Sequence, residues 1–337
     1  MVSYFKYTEY DGEFYDRYIR DRLPDEIIDM HAHISTDEIR KNCTPDMTDW
    51  AAQCGSVMAI DDHDKYASIL YPGKKVYLNA LPAVTRGTDV VGGNNYLAGL
   101  KKEGRVRFCC MLTDPSWSGE LTEKYLLDGN FDGYKPYPDF VAGQKSVEIT
   151  MFDFVNREQY DVLNKHNKIM VLHIPRAGRF ADPSNIRELC EIRERYPNIK
   201  LIIAHCGRSY AMNVIKEAHR QIGDNLNNFY YDISAVLNPE VLEYMLTHVS
   251  HERLMYGTDL PVFLWHGRRR WTPDKYFNLA REDFEWNKHE EGRETEAGYT
   301  FFLYEQLKNI LDTADKFGGR ETADKIFYKN AVNYLKS

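Results

Sequence analysis

Short apolar runs alternate with polar turns and with longer stretches of helical character along most of the chain. Eight runs read as strands: EIIDMHAH (26–33), KKVYLNALP (74–82), RVRFCCML (105–112), FDGYKPYP (131–138), KIMVLHIP (168–175), KLIIAHCG (200–207), NFYYDISA (228–235) and RLMYGTDLP (253–261). Their apolar residues are consecutive rather than alternating, the pattern of parallel strands covered outside by helices and filled inside. Between them, 148–166 reads as one helix with apolar positions at 151, 152, 155 and 162. Residues 183–196 start from an Asp182 N-cap followed by Pro183, and 238–248 repeats the cap-then-proline start. Two further helices, 298–315 with a stripe of Phe301, Tyr304, Leu307 and Leu311, and 321–335, end the pattern. Eight strands alternating with helices predict an α/β fold, a (β/α)8 TIM barrel with right-handed crossovers. A doubly wound open sheet is the competing architecture, weakened because no Gly-rich phosphate turn follows any strand. The expected barrel is one domain over 1–337 with its core at about 26–335. Long connections follow strand 1 (34–73, with extra helices) and strand 8 (262–297, rich in charge and Trp), and long loops of this kind are functional or disordered.

Composition narrows the picture. In 337 residues, 43% hydrophobic and 28% charged content is that of a globular protein and excludes a disordered chain. A net charge of −8 argues against general binding to nucleic acid or anionic membrane. The charged N-terminal segment has no apolar signal-peptide core, and no stretch reaches the roughly 18 apolar residues of a membrane span. Six cysteines without a CxxC spacing read as reduced thiols, so the expected location is cytoplasmic.

The chemistry gathers at strand ends. His31 and His33 are two apart on a strand, so both imidazoles point the same way and can share one ion. Alone, this pair is a weak signal. His173, His205 and Asp259 each lie at the end of another strand run, and barrel enzymes build their sites from those ends. Singly, each has a bland reading, a satisfied core histidine or a helix-capping aspartate; jointly they point to a metal site. Lys135 falls on the fourth strand, Arg176 and Arg208 each stand three residues after a strand-end histidine, and His266 lies just past Asp259. A guanidinium matches a carboxylate bidentately, which makes the two arginines candidate substrate contacts; the alternative pairs them with acidic residues of adjacent loops. Lys135 and His266 are the other candidate substrate contacts. Cys206 adjoins His205 but faces the helices, and Arg268, Arg269 and Arg270 read as a solvated face.

IDMHAH, the strand-five histidine, AHCG, YGTDLP and KIFYKNAVNYL, in that order over about 26–335, resemble the amidohydrolase superfamily, specifically its amidohydrolase-2 branch. The resemblance implies a metal-dependent barrel whose members include hydrolases, lactonases, decarboxylases and hydratases. It implies His31, His33, His173 and Asp259 as metal ligands or close partners, with His205 a ligand or an acid/base residue. Some superfamily members carry a carboxylated lysine on the fourth strand that bridges two metals. In this branch a lysine in a G-x-K setting is common without that role, so one metal per chain is expected, a second being the alternative. Imidazole and carboxylate suit Zn²⁺ with one position open for water. Asp259 would accept that water's proton while His205 polarises the substrate or moves a proton. The expected activity is hydrolysis of a C–O or C–N bond in a small carboxylated substrate. The alternative is a lyase, a non-oxidative decarboxylase or hydratase, on the same site, and a minor alternative is a non-catalytic metal-binding protein. The expected partner is a small-molecule substrate, with no nucleic acid and no membrane, and a homo-oligomer stays open.

Overall fold

In the computed structural model, which describes residues 2, 4–47, 49–55, 57–143 and 148–336, eight strands pair in chain order. They are β1 (Glu26–His33), β2 (Lys75–Leu81), β3 (Phe108–Met111), β4 (Gly133–Tyr134), β5 (Ile169–Leu172), β6 (Lys200–Ile203), β7 (Tyr230–Asp232) and β8 (Leu254–Met255). Every neighbouring pair is parallel. The circle is drawn together between β8 and β1, where Met30 N donates to Tyr256 O at 3.0 Å, Asp259 N to His31 O at 2.6 Å and His33 N to Leu260 O at 2.8 Å. The Asp29 carboxylate pins the same seam: Oδ1 accepts from the backbone N–H groups of His31 and Thr258, and Oδ2 from the Thr258 hydroxyl at 2.6 Å. With helices between the strands, this is the (β/α)8 barrel that the periodicity predicts.

Alternate strand residues fill the interior. Ile28, Met30, Leu81, Cys110, Ile169, Val171, Ile202, Ala204 and Met255 form one buried cluster. Ala331 and Tyr334, from the helix Asn330–Lys336, join that cluster from the N-terminal ends of the strands, where Lys200 Nζ donates to Tyr334 O and Asn330 Nδ2 to Leu254 O. The lower end of the barrel is therefore plugged by protein. At the upper end the β1–β2 register shifts between Asp29 and Ala32. An irregularity there changes the parity of β1, so that His31 and His33 also face inward.

Strand β1 has the bounds expected from its sequence, whereas β4 and β8 keep only two residues each. Past the C-terminal ends of β5, β6, β7 and β8 the chain turns sharply. Arg176 (φ 62°), His205 to Arg208 (φ 54°, 49°, 69° and 62°), Ala235 (φ 59°) and Asp259 (φ 62°) all occupy the left-handed region. Side chains other than glycine adopt it at a cost and mostly where tertiary contacts impose it. At Gly207 glycine is required, since a Cβ would sit 2.6 Å from the Phe180 Cβ.

Helices Pro183–Arg195 and Pro239–His248 begin at the expected caps, with Asp182 and Asn238 accepting from the first-turn N–H groups. The helix expected over 148–166 is two pieces, Met151–Phe154 and Arg157–His166. Asn156 breaks it: its Oδ1 caps Gln159 N while its Nδ2 donates to the carbonyls of Pro115 and Trp117, tertiary bonds that no local pattern displays. Among the described residues, the connection after β1 holds three helices, Asp37–Arg40, Trp50–Cys54 and Ile60–Leu70. The connection after β8 folds into an antiparallel hairpin, β9 (Gly267–Trp271) and β10 (Tyr276–Ala280). Among the described residues no helix is long and apolar enough to cross a membrane.

Candidate metal centre

The strands' C-terminal ends open on a cavity of about 290 Å³, at the lower edge of the size range of small-molecule sites. His31, His33, Lys135, His173, His205, Arg208 and Asp259 all line it. Five strands of the barrel thus deliver their chemistry to one place.

The two histidines of β1 are held in one tautomer by what lies behind them. His31 Nδ1 faces Asp232 Oδ2 at 2.9 Å and His33 Nδ1 faces the Pro82 carbonyl at 2.6 Å. Both partners only accept, so the proton sits on Nδ1 and the Nε2 lone pair is free. His31 Nε2 is buried with no hydrogen-bond partner. The two Nε2 atoms lie 3.5 and 3.6 Å from Asp259 Oδ1. That is long for a hydrogen bond. Two donors bound to one tetrahedral ion at about 2.0–2.2 Å stand about 3.4 Å apart, so the spacing fits a set of ligands for one shared cation. His31, His33 and Asp259, and also His31, His205 and Asp232, are groups whose donor atoms fall within 4.8 Å of one another.

His205 follows the same logic. Its Nδ1 faces the Ser234 carbonyl at 3.1 Å and the Ser234 hydroxyl oxygen at 2.8 Å, and that hydroxyl donates to Asp232 Oδ1. Its imidazole packs 4.7 Å from that of His31 and 5.5 Å from that of His173, centroid to centroid. His173 lies against Tyr137 at 4.9 Å, and its buried Nδ1 has no partner.

Protonation states agree with this reading. Burial and the nearby Lys135 charge hold His31 down to about 3 against the pull of Asp232. Burial, then the Arg208 charge, keeps His173 well below the usual histidine range, and burial lowers His205 as well. Burial alone would raise Asp259, but His205, His33 and His31 outweigh it and bring it to about 2. Asp232 is likewise low, because the His31 contact outweighs its burial. Neutral imidazoles beside ionised carboxylates are what a divalent cation requires.

Lys135 is fully buried, and its Nζ has no hydrogen-bond partner. Burial brings it down to about 8. Among the described residues no carboxylate pairs with it. Arg208 also borders the cavity, with Nη1 donating to the carbonyls of Ile174 and Arg176. Arg176 stands behind that wall and supports Arg208 through its carbonyl; its own side chain is not among the lining groups.

His266 does not join the cavity. It is buried, with Nε2 3.1 Å from Asp11 Oδ2 and Nδ1 3.1 Å from Glu282 Oε1, and Arg281 Nη2 reaches the same Nδ1 at 2.6 Å. It ties the first turn of the N-terminal helix Glu9–Tyr18 to the end of the β9–β10 hairpin. Burial lowers its pKa, but the bonds to Asp11 and Glu282 prevail and raise it above the usual 6.5. A group whose pKa is higher folded than unfolded stabilises fully below the unfolded value and loses that contribution as pH rises through the folded one. His266→Gln is therefore expected to cost about 1–3 kcal/mol at pH 5.5 and less at pH 9, read from thermal melts at the two pH values. An equal loss at both would show that the histidine acts without its charge.

Asp232 and Ser234 are the parts of the site that the sequence reading lacked. The signal was present, an aspartate within the apolar run NFYYDISA whose side chain faces inward, but its partners come from β1 and the turn after β6. Cys206 is buried, burial raises its thiol well above the usual range, and it has no part in the cavity lining.

A sequence profile described as amidohydrolase, of the amidohydrolase-2 type, matches residues 126–335. No curated protein matches the sequence. Solved structures with a similar fold include a 2,6-dihydroxybenzoate decarboxylase from Rhizobium (13% identity, 93% of this chain and 99% of that one, TM-score 0.57). Another is a 5-carboxyvanillate decarboxylase from Novosphingobium aromaticivorans with bound manganese and 3-methoxy-4-hydroxy-5-nitrobenzoic acid (13%, 93% and 97%, 0.57). A third is a 4-oxalomesaconate hydratase from Rhodopseudomonas palustris (13%, 92% and 95%, 0.57). At such identities the likeness establishes the fold alone.

Proposed function

Because the chain belongs to the amidohydrolase-2 family, we propose that it works as one domain over 1–337, a metal-dependent enzyme that hydrolyses a C–O or C–N bond of a small carboxylated substrate in this cavity. The observation that carries the proposal is the convergence of two Nε2 lone pairs and one carboxylate at 3.5 and 3.6 Å on the cavity wall. His31, His33 and Asp259 would hold one divalent cation, with His173 beside them, and the imidazole-rich donor set suits Zn²⁺. When bound, the ion polarises a carbonyl and lowers the pKa of a water towards 7.

The chain's own groups supply the remainder. Asp259, with Oδ1 turned to the two Nε2 atoms, accepts a proton at its other oxygen, Oδ2, and passes it to the leaving group. His205, with its proton fixed on Nδ1 by Ser234, presents a free Nε2 that takes or returns a second proton. Asp232 keeps His31 and His205 oriented from behind. Arg208 and Lys135 supply the positive charge for the substrate's carboxylate. If Arg208 does this, Arg208→Lys should raise KM about tenfold, some 1.4 kcal/mol, without altering metal content, because an ammonium cannot reproduce the planar fork. Unchanged steady-state kinetics in that variant would remove Arg208 from substrate binding.

The second reading is a lyase, a non-oxidative decarboxylase or hydratase. It is favoured by the buried Lys135 ammonium, whose Nζ has no hydrogen-bond partner: a charge placed to stabilise the carbanion or enolate that loss of CO₂, or addition of water to a conjugated double bond, leaves on the substrate. Incubating the Zn²⁺-loaded protein with lactones, amides and aromatic acids and identifying products separates the two. Ring-opened or cleaved acids mark the hydrolase, and loss of CO₂ or gain of water across a double bond marks the lyase.

A further inference from the structure

The arginine run of β9 divides by the parity of the strand. Arg268 and Arg270 are exposed and pair with Glu291 and Glu290, as a solvated face should. Arg269 points the other way and is only 5% exposed. Its Nη1 donates to Ala235 O at 2.6 Å and its Nε to Asn278 Oδ1 at 2.8 Å, while Nη2 is buried with no partner. Among the described residues no carboxylate pairs with it. Its guanidinium instead packs on the rings of Tyr276 (4.6 Å), Tyr210 (5.1 Å) and Phe302 (5.1 Å).

Ala235, Tyr210 and Tyr276 all line the cavity. Arg269 therefore joins the hairpin to the loops after β6 and β7 exactly where they form the wall. Arg179, from the loop after β5, stands over the same two rings at 5.4 Å each. The rings of Tyr210 and Tyr276 meet nearly edge to face, 5.1 Å apart at 68°. The turn of the hairpin is tied down too, by Asn213 N donating to Pro273 O at 3.0 Å. A buried cation without a counter-anion costs desolvation, so its retention calls for a return elsewhere. Here the return is a fixed aromatic surface, since a planar guanidinium held by two directed bonds leaves the stacked rings little freedom.

We propose that the β9–β10 hairpin is a strap across the cavity mouth, and that Arg269 is a positioning residue that clamps Tyr276 and Tyr210 into a wall selecting ring-bearing over small aliphatic carboxylates. The proposal rests on the reading that the cavity takes a carboxylate; Trp50 and Phe263, also among its lining, extend the apolar surface that a ring would bury.

The test uses benzoate and acetate as probes, titrated calorimetrically into the full-length protein with and without Zn²⁺. Wild type is expected to bind benzoate at least about tenfold more tightly than acetate. Arg269→Met and Tyr276→Ala should each bring the ratio to within about twofold, and Tyr276→Phe, which restores the ring, should bring it back. Zn²⁺ stoichiometry should be the same in all four proteins. An unchanged ratio in Tyr276→Ala, or no preference for benzoate in wild type, overturns the strap proposal. Should Arg269→Met fail to fold, Arg269→Gln, which keeps a donor for Ala235 O but not the stacked cation, takes its place. Absence of Zn²⁺ binding overturns the metal reading instead, and the ratio measured without Zn²⁺ still decides the strap.

Discussion

Asp259→Asn should lower kcat by at least about 10² on the substrate that product screening identifies, while KM moves little. The amide keeps the shape of the side chain and an oxygen at the position 3.5–3.6 Å from the two Nε2 atoms, but it cannot accept a proton. Its loss is thus felt in turnover more than in binding. Because Asp259 also stands among the proposed ligands, metal content must be measured beside the kinetics, and the comparison made at saturating Zn²⁺. Near-normal turnover under those conditions would remove Asp259 from the chemistry.

The second large effect is on metal content. Elemental analysis of protein purified without chelator should find about one equivalent of a divalent transition metal per chain, and His31→Ala should lose most of it. Asp232→Asn offers a graded version of the same test. The carboxylate behind His31 sets which nitrogen carries the proton and how the ring is aimed, and second-layer changes of this type weaken metal binding by about 10- to 100-fold. Competition against a chromophoric chelator reads both variants. A wild-type protein that binds no divalent metal under replete conditions would sink the site assignment.

Several parts of this molecule are legible in its sequence. The strand count and the parallel order followed from consecutive apolar runs, and β1 with its His-x-His pair has the bounds read from EIIDMHAH. The convergence of His31, His33, His173, His205 and Asp259 was legible because a barrel places strand ends together whatever the loops do. What escaped was set by contacts distant along the chain. Asn156 ends a helix because the carbonyls of Pro115 and Trp117 claim its amide. His266 looked like a substrate contact from its nearness to Asp259, yet Asp11, 255 positions away in sequence, captures it. Arg269 looked solvated beside its two neighbours, and only the pleat of β9, known once the hairpin is seen, turns it inward. Asp232 carried no motif of its own, since its role exists only relative to His31 and His205.

The plugged lower end of the barrel has a consequence for how the protein is made. Ala331 and Tyr334 fill the interior beneath strands whose first member begins at Glu26, and the seam that draws the circle together joins β1 to residues 255–260. A ribosome delivers these segments in order, so β1 waits for about 230 residues of further synthesis before its second neighbour emerges, and longer still before the plug arrives. Until then the apolar runs that line the barrel have no covering at their base. Such exposure during translation is what holding chaperones recognise, and a ribosome stalled ahead of residue 330 should leave a nascent chain that is far more sensitive to protease than one released after it.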